Sequence, residues 1–161
     1  MTQGDYRICI ELPSSHRFLN VAGLTIDAVL HRLGDLLPGA EDVSREVQVA
    51  TQEICANVVD HAYEADSDGR LKIEIVIELN ESKLDVHIRD SGKEFDENIV
   101  QQPELGSLQE RGFGLYFAKK LMDNVIYSRE NNENHWHLIK HLGIDKDHQL
   151  NPNLKSEQLA I

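Results

Sequence analysis

The sequence predicts an α+β sandwich, and three observations carry that expectation. Two stretches with the period of a helix stand side by side near the N-terminus, two pairs of strand-like segments follow with polar turns between them, and a single helix-like stretch separates the pairs. The resulting order is strand, two helices, hairpin, loop, helix, hairpin.

Asp5 to Leu12 places Tyr6, Ile8, Ile10 and Leu12 on one face, the alternation of a half-buried strand, and Pro13 ends it. Ser14 or Ser15 then offers a hydroxyl to cap a helix. From Phe18 to Leu37 the apolar residues Phe18, Val21, Ala22, Ile26, Val29, Leu30, Leu33 and Leu37 recur at helical spacing until Pro38 and Gly39 break the pattern. A second amphipathic helix is expected from about Asp42 to Tyr63, with Val43, Val47, Ala50, Ile54, Val58 and Ala62 along one stripe. Leu71 to Leu79 and Leu84 to Asp90 read as a hairpin about the turn Asn80 to Lys83.

After Asp90 the periodicity lapses for about twenty residues, which is long for a structureless connection in a compact domain and points to a functional loop; Glu94 to Arg111 is a candidate lid. Helical spacing returns in Phe113 to Met122. Val125 to Arg129 and Trp136 to Leu142 then form a last hairpin about Asn131 to Asn134. Residues 145–161 are polar and read as a loose tail, leaving residues 1–144 as one domain.

The net charge of −12 opposes binding to nucleic acid or anionic lipid without a local basic patch. Two well-separated cysteines, Cys9 and Cys55, fit neither a disulfide framework nor a zinc site, and a reduced cytoplasm suits them. With no apolar run near the roughly 20 residues that cross a bilayer and no leader-like N-terminus, the chain is expected in the cytoplasm, off the membrane.

Three short segments carry chemistry. On the second helix, Glu53, Asn57, Asp60 and His61 gather on one side through i, i+3 and i+4 spacing. The amide oxygen of Asn57 suits Mg²⁺, a hard cation that completes its shell with phosphates and water, and the Glu53 carboxylate can accept a proton. Asp90-Ser91-Gly92-Lys93-Glu94-Phe95-Asp96 begins where a strand ends, so Asp90 is held rigidly to accept an exocyclic amine hydrogen while Gly92 admits a ligand ring. Gly112-Phe113-Gly114 directly precedes a helix, where exposed N–H groups and the helix dipole favour phosphate, and Arg111 adds a charge.

Taken in order, ExxxNxxxHAY (Glu53 to Tyr63), DSGKEFD (Asp90 to Asp96) and RGFGLYFAKKLMD (Arg111 to Asp123) resemble the N, G1 and G2 boxes of the histidine-kinase-like ATPases, and the chain is similar to their bacterial anti-sigma-factor serine kinases. The resemblance spans about residues 5 to 142. It implies a Bergerat-type two-layer sandwich, with a mixed, mostly antiparallel sheet and helices on one face, that binds ATP with Mg²⁺. By position in the boxes, Asn57 would be the metal ligand, Asp90 the adenine reader, and Gly92, Gly112 and Gly114 the nucleotide-loop glycines. His61, Phe95, Phe113 and Leu115 would complete the nucleotide site, with Glu53 as general base and Arg111 near the terminal phosphate.

The implied function is phosphorylation of a serine on an anti-sigma-factor antagonist by a homodimer that also sequesters a sigma factor. The alternative is a nucleotide-responsive binding module without kinase activity. A histidine-phosphorylating sensor kinase fits less well, because no dimerisation helix with an acceptor histidine precedes the boxes. One departure stands out: near His135-Trp136-His137 relatives commonly carry a threonine or serine that supports the adenine site, and this sequence offers none. His135, His137 and His141 fall on one strand face but lack a nearby cysteine or carboxylate to complete a metal site, and Tyr127 and Trp136 read as sheet packing.

Overall fold

The computed structural model describes residues 5–34, 40–63, 68–96 and 113–142. Its elements are β1 (Asp5–Pro13), α1 (Leu19–Arg32), α2 (Ala40–His61), β2 (Arg70–Glu78), β3 (Lys83–Asp90), α3 (Gly114–Leu121), β4 (Asn124–Glu130) and β5 (Glu133–His141). The order matches the expected one, and the predicted tail, the candidate lid from residue 97 onward and Arg111 and Gly112 lie outside the described residues.

The five strands form one sheet in the order β1-β2-β3-β5-β4, and every described pairing is antiparallel. β2–β3 and β4–β5 are hairpins, while the crossover through α3 sets β4 at the far edge and leaves the place beside β3 for β5. In β2 the inward residues Leu71, Ile73, Ile75 and Ile77 are buried and alternate with more accessible neighbours, the period-2 pattern of a sheet covered on one face.

Helix α2 lies over the sheet against β3 and β5, flanked by α1 and α3. Its stripe of Val47, Ala50, Ile54, Val58 and Ala62 is buried as the periodicity requires. β1 is an edge strand, and its inward Ile8, Ile10 and Leu12 are only partly buried. Ser15 caps a single 3₁₀ turn at His16–Phe18 ahead of α1.

The β4–β5 turn is tighter than the sequence suggests. Asn131 and Asn132 hold φ of 51° and 64°, the paired positive values of a two-residue turn whose twist matches the strands it joins. Glu133 and Asn134, expected in the turn, therefore belong to β5.

Candidate functional site

The C-terminal half of α2 supplies the first wall. Ile54, Val58 and Ala62 are buried beneath it, which fixes the rotation of the helix and turns Asn57 and His61 into a cleft of about 210 Å³. That volume is below the roughly 300–1,000 Å³ of whole small-molecule sites and suits one ring system rather than an entire nucleotide.

Gly114, the first residue of α3, lies directly over the polar row of α2. A methyl group there would stand 2.5 Å from Glu53 Oε2 and 3.6 Å from Asn57 Oδ1. Glycine thus lets the N-terminal end of α3 approach a carboxylate and an amide oxygen at once, and the helix has no side-chain cap at Phe113. An anion at this end would meet unpaired N–H groups beside Glu53 and Asn57.

The second wall is the end of β3. Asp90 is only 3% exposed. Its Oδ1 accepts from the Gly92 N–H at 2.9 Å and from Asn134 Nδ2 at 2.9 Å, whereas Oδ2 is buried and accepts no hydrogen bond. Burial raises the Asp90 carboxyl above the usual carboxylate range, opposed by the hydrogen bonds from Asn134 and Gly92 and by the Arg129 charge. Cys55 is buried near this carboxylate; burial first, and the Asp90 charge second, push its thiol up to about 12, so it remains an inert packing group.

Gly92 is required for a steric reason in addition to the one its sequence context gives. A Cβ there would stand 2.4 Å from the Ala62 carbonyl oxygen, because the loop after β3 packs onto the end of α2, where Lys93 N–H donates to the same carbonyl at 2.7 Å. This close approach is between two backbones. Tyr63 reinforces the junction, its hydroxyl accepting from Ser91 N–H and donating to the Arg70 carbonyl.

Phe95, Leu115 and Trp136 close the apolar side. The Phe95 and Trp136 rings meet edge to face at 4.8 Å, and Tyr127 lies against both. Trp136 and Tyr127 do pack in the sheet as expected, yet Trp136 also lines the cleft and the Tyr127 hydroxyl accepts from Phe95 N–H at 3.0 Å.

Asn134, Arg129 and the second role of Tyr127 escape the sequence reading. Asn134 is 2% exposed; its Nδ2 donates to Asp90 and to the Lys93 carbonyl, and its Oδ1 accepts from the Tyr127 hydroxyl and from Arg129 Nη1. The signal was present in phase: Asn134 lies two residues before the inward Trp136, so extending the strand by one step puts an amide into the core. His135 and His137 instead stack with His87 on the opposite face, and His141 pairs with Asp123 at 2.8 Å.

A model of the histidine kinase-like ATPase domain matches residues 24–140 of the chain. Over 133 residues the chain is 35% identical to the serine-protein kinase RsbW of Oceanobacillus iheyensis, covering 78% of this chain and 80% of that one. The chain belongs to the histidine kinase-like ATPase family, among the RsbW serine-protein kinases. The RsbW of Bacillus subtilis is 33% identical over 130 residues, 75% of this chain and 76% of its own. The fold of this family member is also that of a solved structure of the RsbU and RsbW domains of a Mycobacterium tuberculosis protein, with a TM-score of 0.61 at 15% identity, over 85% of this chain and 32% of that one. The chain thus spans about a third of that solved protein.

The residues present fit the family's nucleotide. A buried, unpartnered carboxylate oxygen at Asp90 calls for a donor, and the aromatic and aliphatic side of the cleft suits a flat ring. The Asn57 amide oxygen, beside a helix N-terminus and next to the Glu53 carboxylate, fits Mg²⁺ with phosphate.

Proposed function

We propose that this chain is a cytoplasmic, Mg²⁺- and ATP-dependent protein serine kinase that phosphorylates an anti-sigma-factor antagonist and, as a homodimer, captures a sigma factor. The supporting observation is that Asn57 lines one cleft with Asp90, which keeps an unpartnered oxygen, and stands beside Gly114 and Glu53 at the start of α3, in a chain whose relatives are serine-protein kinases. Residues 1–144 serve as the ATP-binding domain and 145–161 as a polar tail.

In this reading ATP supplies the terminal phosphoryl group and Mg²⁺ offsets its charge. Asp90 accepts from the adenine amino group, and Phe95, Leu115 and Trp136 exclude water around the ring. His61 lines the same space and Phe113, the N-cap of α3, completes the nucleotide site; Gly92 fixes the loop that carries Phe95, and Asn57 holds the metal. Gly112 and Gly114 receive phosphate, Gly114 as the first residue of α3. As the serine oxygen forms its bond to phosphorus and the bond to the departing diphosphate breaks, Glu53 takes the hydroxyl proton and Arg111 stabilises the charge on the transferred group. Positioning is the larger share of such catalysis.

The test is an assay with Mg²⁺-ATP and candidate antagonist domains, reading acid-stable phosphoserine, with nucleotide binding followed by the fluorescence of the sole tryptophan, Trp136. Glu53→Gln is expected to slow phosphorylation by about 10²- to 10⁴-fold while ATP still perturbs Trp136. An unchanged rate removes Glu53 from the mechanism. Wild-type chain that binds ATP and phosphorylates none of the domains is a nucleotide-responsive binding module instead.

A further inference from the structure

We propose that Asn134 is a positioning residue for nucleobase choice: its amide holds one oxygen of Asp90 so that only the other is left to accept from an amino group on the ring. The inference rests on the nucleotide reading of the cleft and adds to it a residue outside the three sequence boxes.

The geometry leaves Asn134 one orientation. Its Oδ1 faces two donors, the Tyr127 hydroxyl at 2.8 Å and Arg129 Nη1, and the Tyr127 hydroxyl is already committed as acceptor to Phe95 N–H. Its Nδ2 faces two acceptors, Asp90 Oδ1 at 2.9 Å and the Lys93 carbonyl at 2.8 Å. Reversing the amide would set donor against donor at Arg129 and acceptor against acceptor at Asp90 and Lys93, so the network fixes which atom meets Asp90.

The consequence falls on Asp90. With Oδ1 occupied by Asn134 and Gly92, the carboxylate cannot turn to share its charge between two ligands, and the buried Oδ2 presents acceptor capacity only. A 6-amino purine brings a donor to such an atom; a 6-oxo purine brings a second acceptor and leaves two buried lone pairs opposed. Arg129 ties the same network to the loop, since its Nη1 also donates to the Gly92 carbonyl at 3.1 Å. Asn134 thereby joins the carboxylate and the loop, because one amide bonds both.

The same contact governs ionisation. Burial raises the Asp90 carboxyl, and the Asn134 hydrogen bond is the largest influence opposing it. Removing that bond lifts the pKa further, so the protonated acid, which can donate to a 6-oxo group, becomes populated at a higher pH.

The experiment compares ATP and GTP binding by calorimetry across a pH series for wild type, Asn134→Leu, Asn134→Thr and Tyr127→Phe, with thermal melts to confirm folding. Asn134→Leu is expected to weaken ATP by roughly 10- to 100-fold, the range for a hydrogen bond to a charged group, to shrink the ATP-over-GTP preference, and to move the acid limb of ATP binding to higher pH. Asn134→Thr should recover most of both. Tyr127→Phe, which keeps the ring and removes the hydroxyl that orients Asn134, should shift both in the same direction by less. A folded Asn134→Leu or Tyr127→Phe protein with the wild-type ATP/GTP ratio and acid limb overturns the proposal alone. Wild-type chain that binds neither nucleotide overturns the underlying reading and the proposal with it.

Discussion

Burial of Asp90 disfavours its charged form. Its raised pKa comes first from burial, so the ionised form costs stability above the raised value and nothing below the ordinary value of 3.8, where both folded and unfolded chains are protonated. Asp90→Asn is therefore expected to melt higher than wild type at pH 7, with the advantage shrinking as pH falls toward 3.8, while ATP binding is lost. Calorimetric melts of the two proteins across that range check it, and a variant that melts lower at pH 7 would show the carboxylate to be net stabilising. Glu53 illustrates the complementary case: its neighbour Gly114 lacks the one atom that would displace its carboxylate.

Elements matter here through their junctions. The end of α2 and the loop after β3 are fastened at the Ala62 carbonyl, which receives the Lys93 N–H and leaves no room for a side chain at Gly92, and at the Tyr63 hydroxyl, which accepts from Ser91 N–H. Because the obstructing atom is backbone, Gly92→Ala has to move the loop or the helix end, and overpacking of this kind costs about 1–3 kcal/mol. A urea titration should show a lower midpoint with an unchanged slope, together with weaker ATP binding as Phe95 is displaced. An unaltered midpoint would mean that the junction yields freely.

Across the molecule, one face of the sheet is covered by helices and the other carries ionisable rows. On that open face His87 stacks on His137 at 4.3 Å and on His135 at 5.2 Å, with Asp85 and Arg89 beside it on β3 and Glu74 opposite on β2. Burial, then His137, His135 and Arg89, lower His87 from 6.5 to about 4. The unfolded chain takes up this proton first on acidification. Stability from neutral His87 is thus complete above pH 6.5 and is lost as pH falls from there toward 4. His87→Gln should flatten the dependence of the melting temperature on pH over that interval, and parallel curves for the two proteins would exclude the histidine as a source of acid sensitivity.

The sequence by itself determined the element order, the buried stripes of α2 and β2 and the segments that meet at the cleft, because periodicity and turn chemistry are local. Glu53, Asn57, Asp90 and Gly114 were legible for the same reason: each stands at a helical spacing, a strand end or a helix start. Only the tertiary structure decided that β5 lies between β3 and β4, and with it that Asn134 faces Asp90 across 44 positions of sequence. A shift of one residue in where a strand begins turns its side chains to the other face. The two-residue turn at Asn131 and Asn132 settles that register, placing Asn134 in the cleft wall and His135 on the open face. Gly92 shows the other limit: its glycine was visible, but the carbonyl that demands it comes from another element, and steric exclusion between distant segments exists only once they are packed.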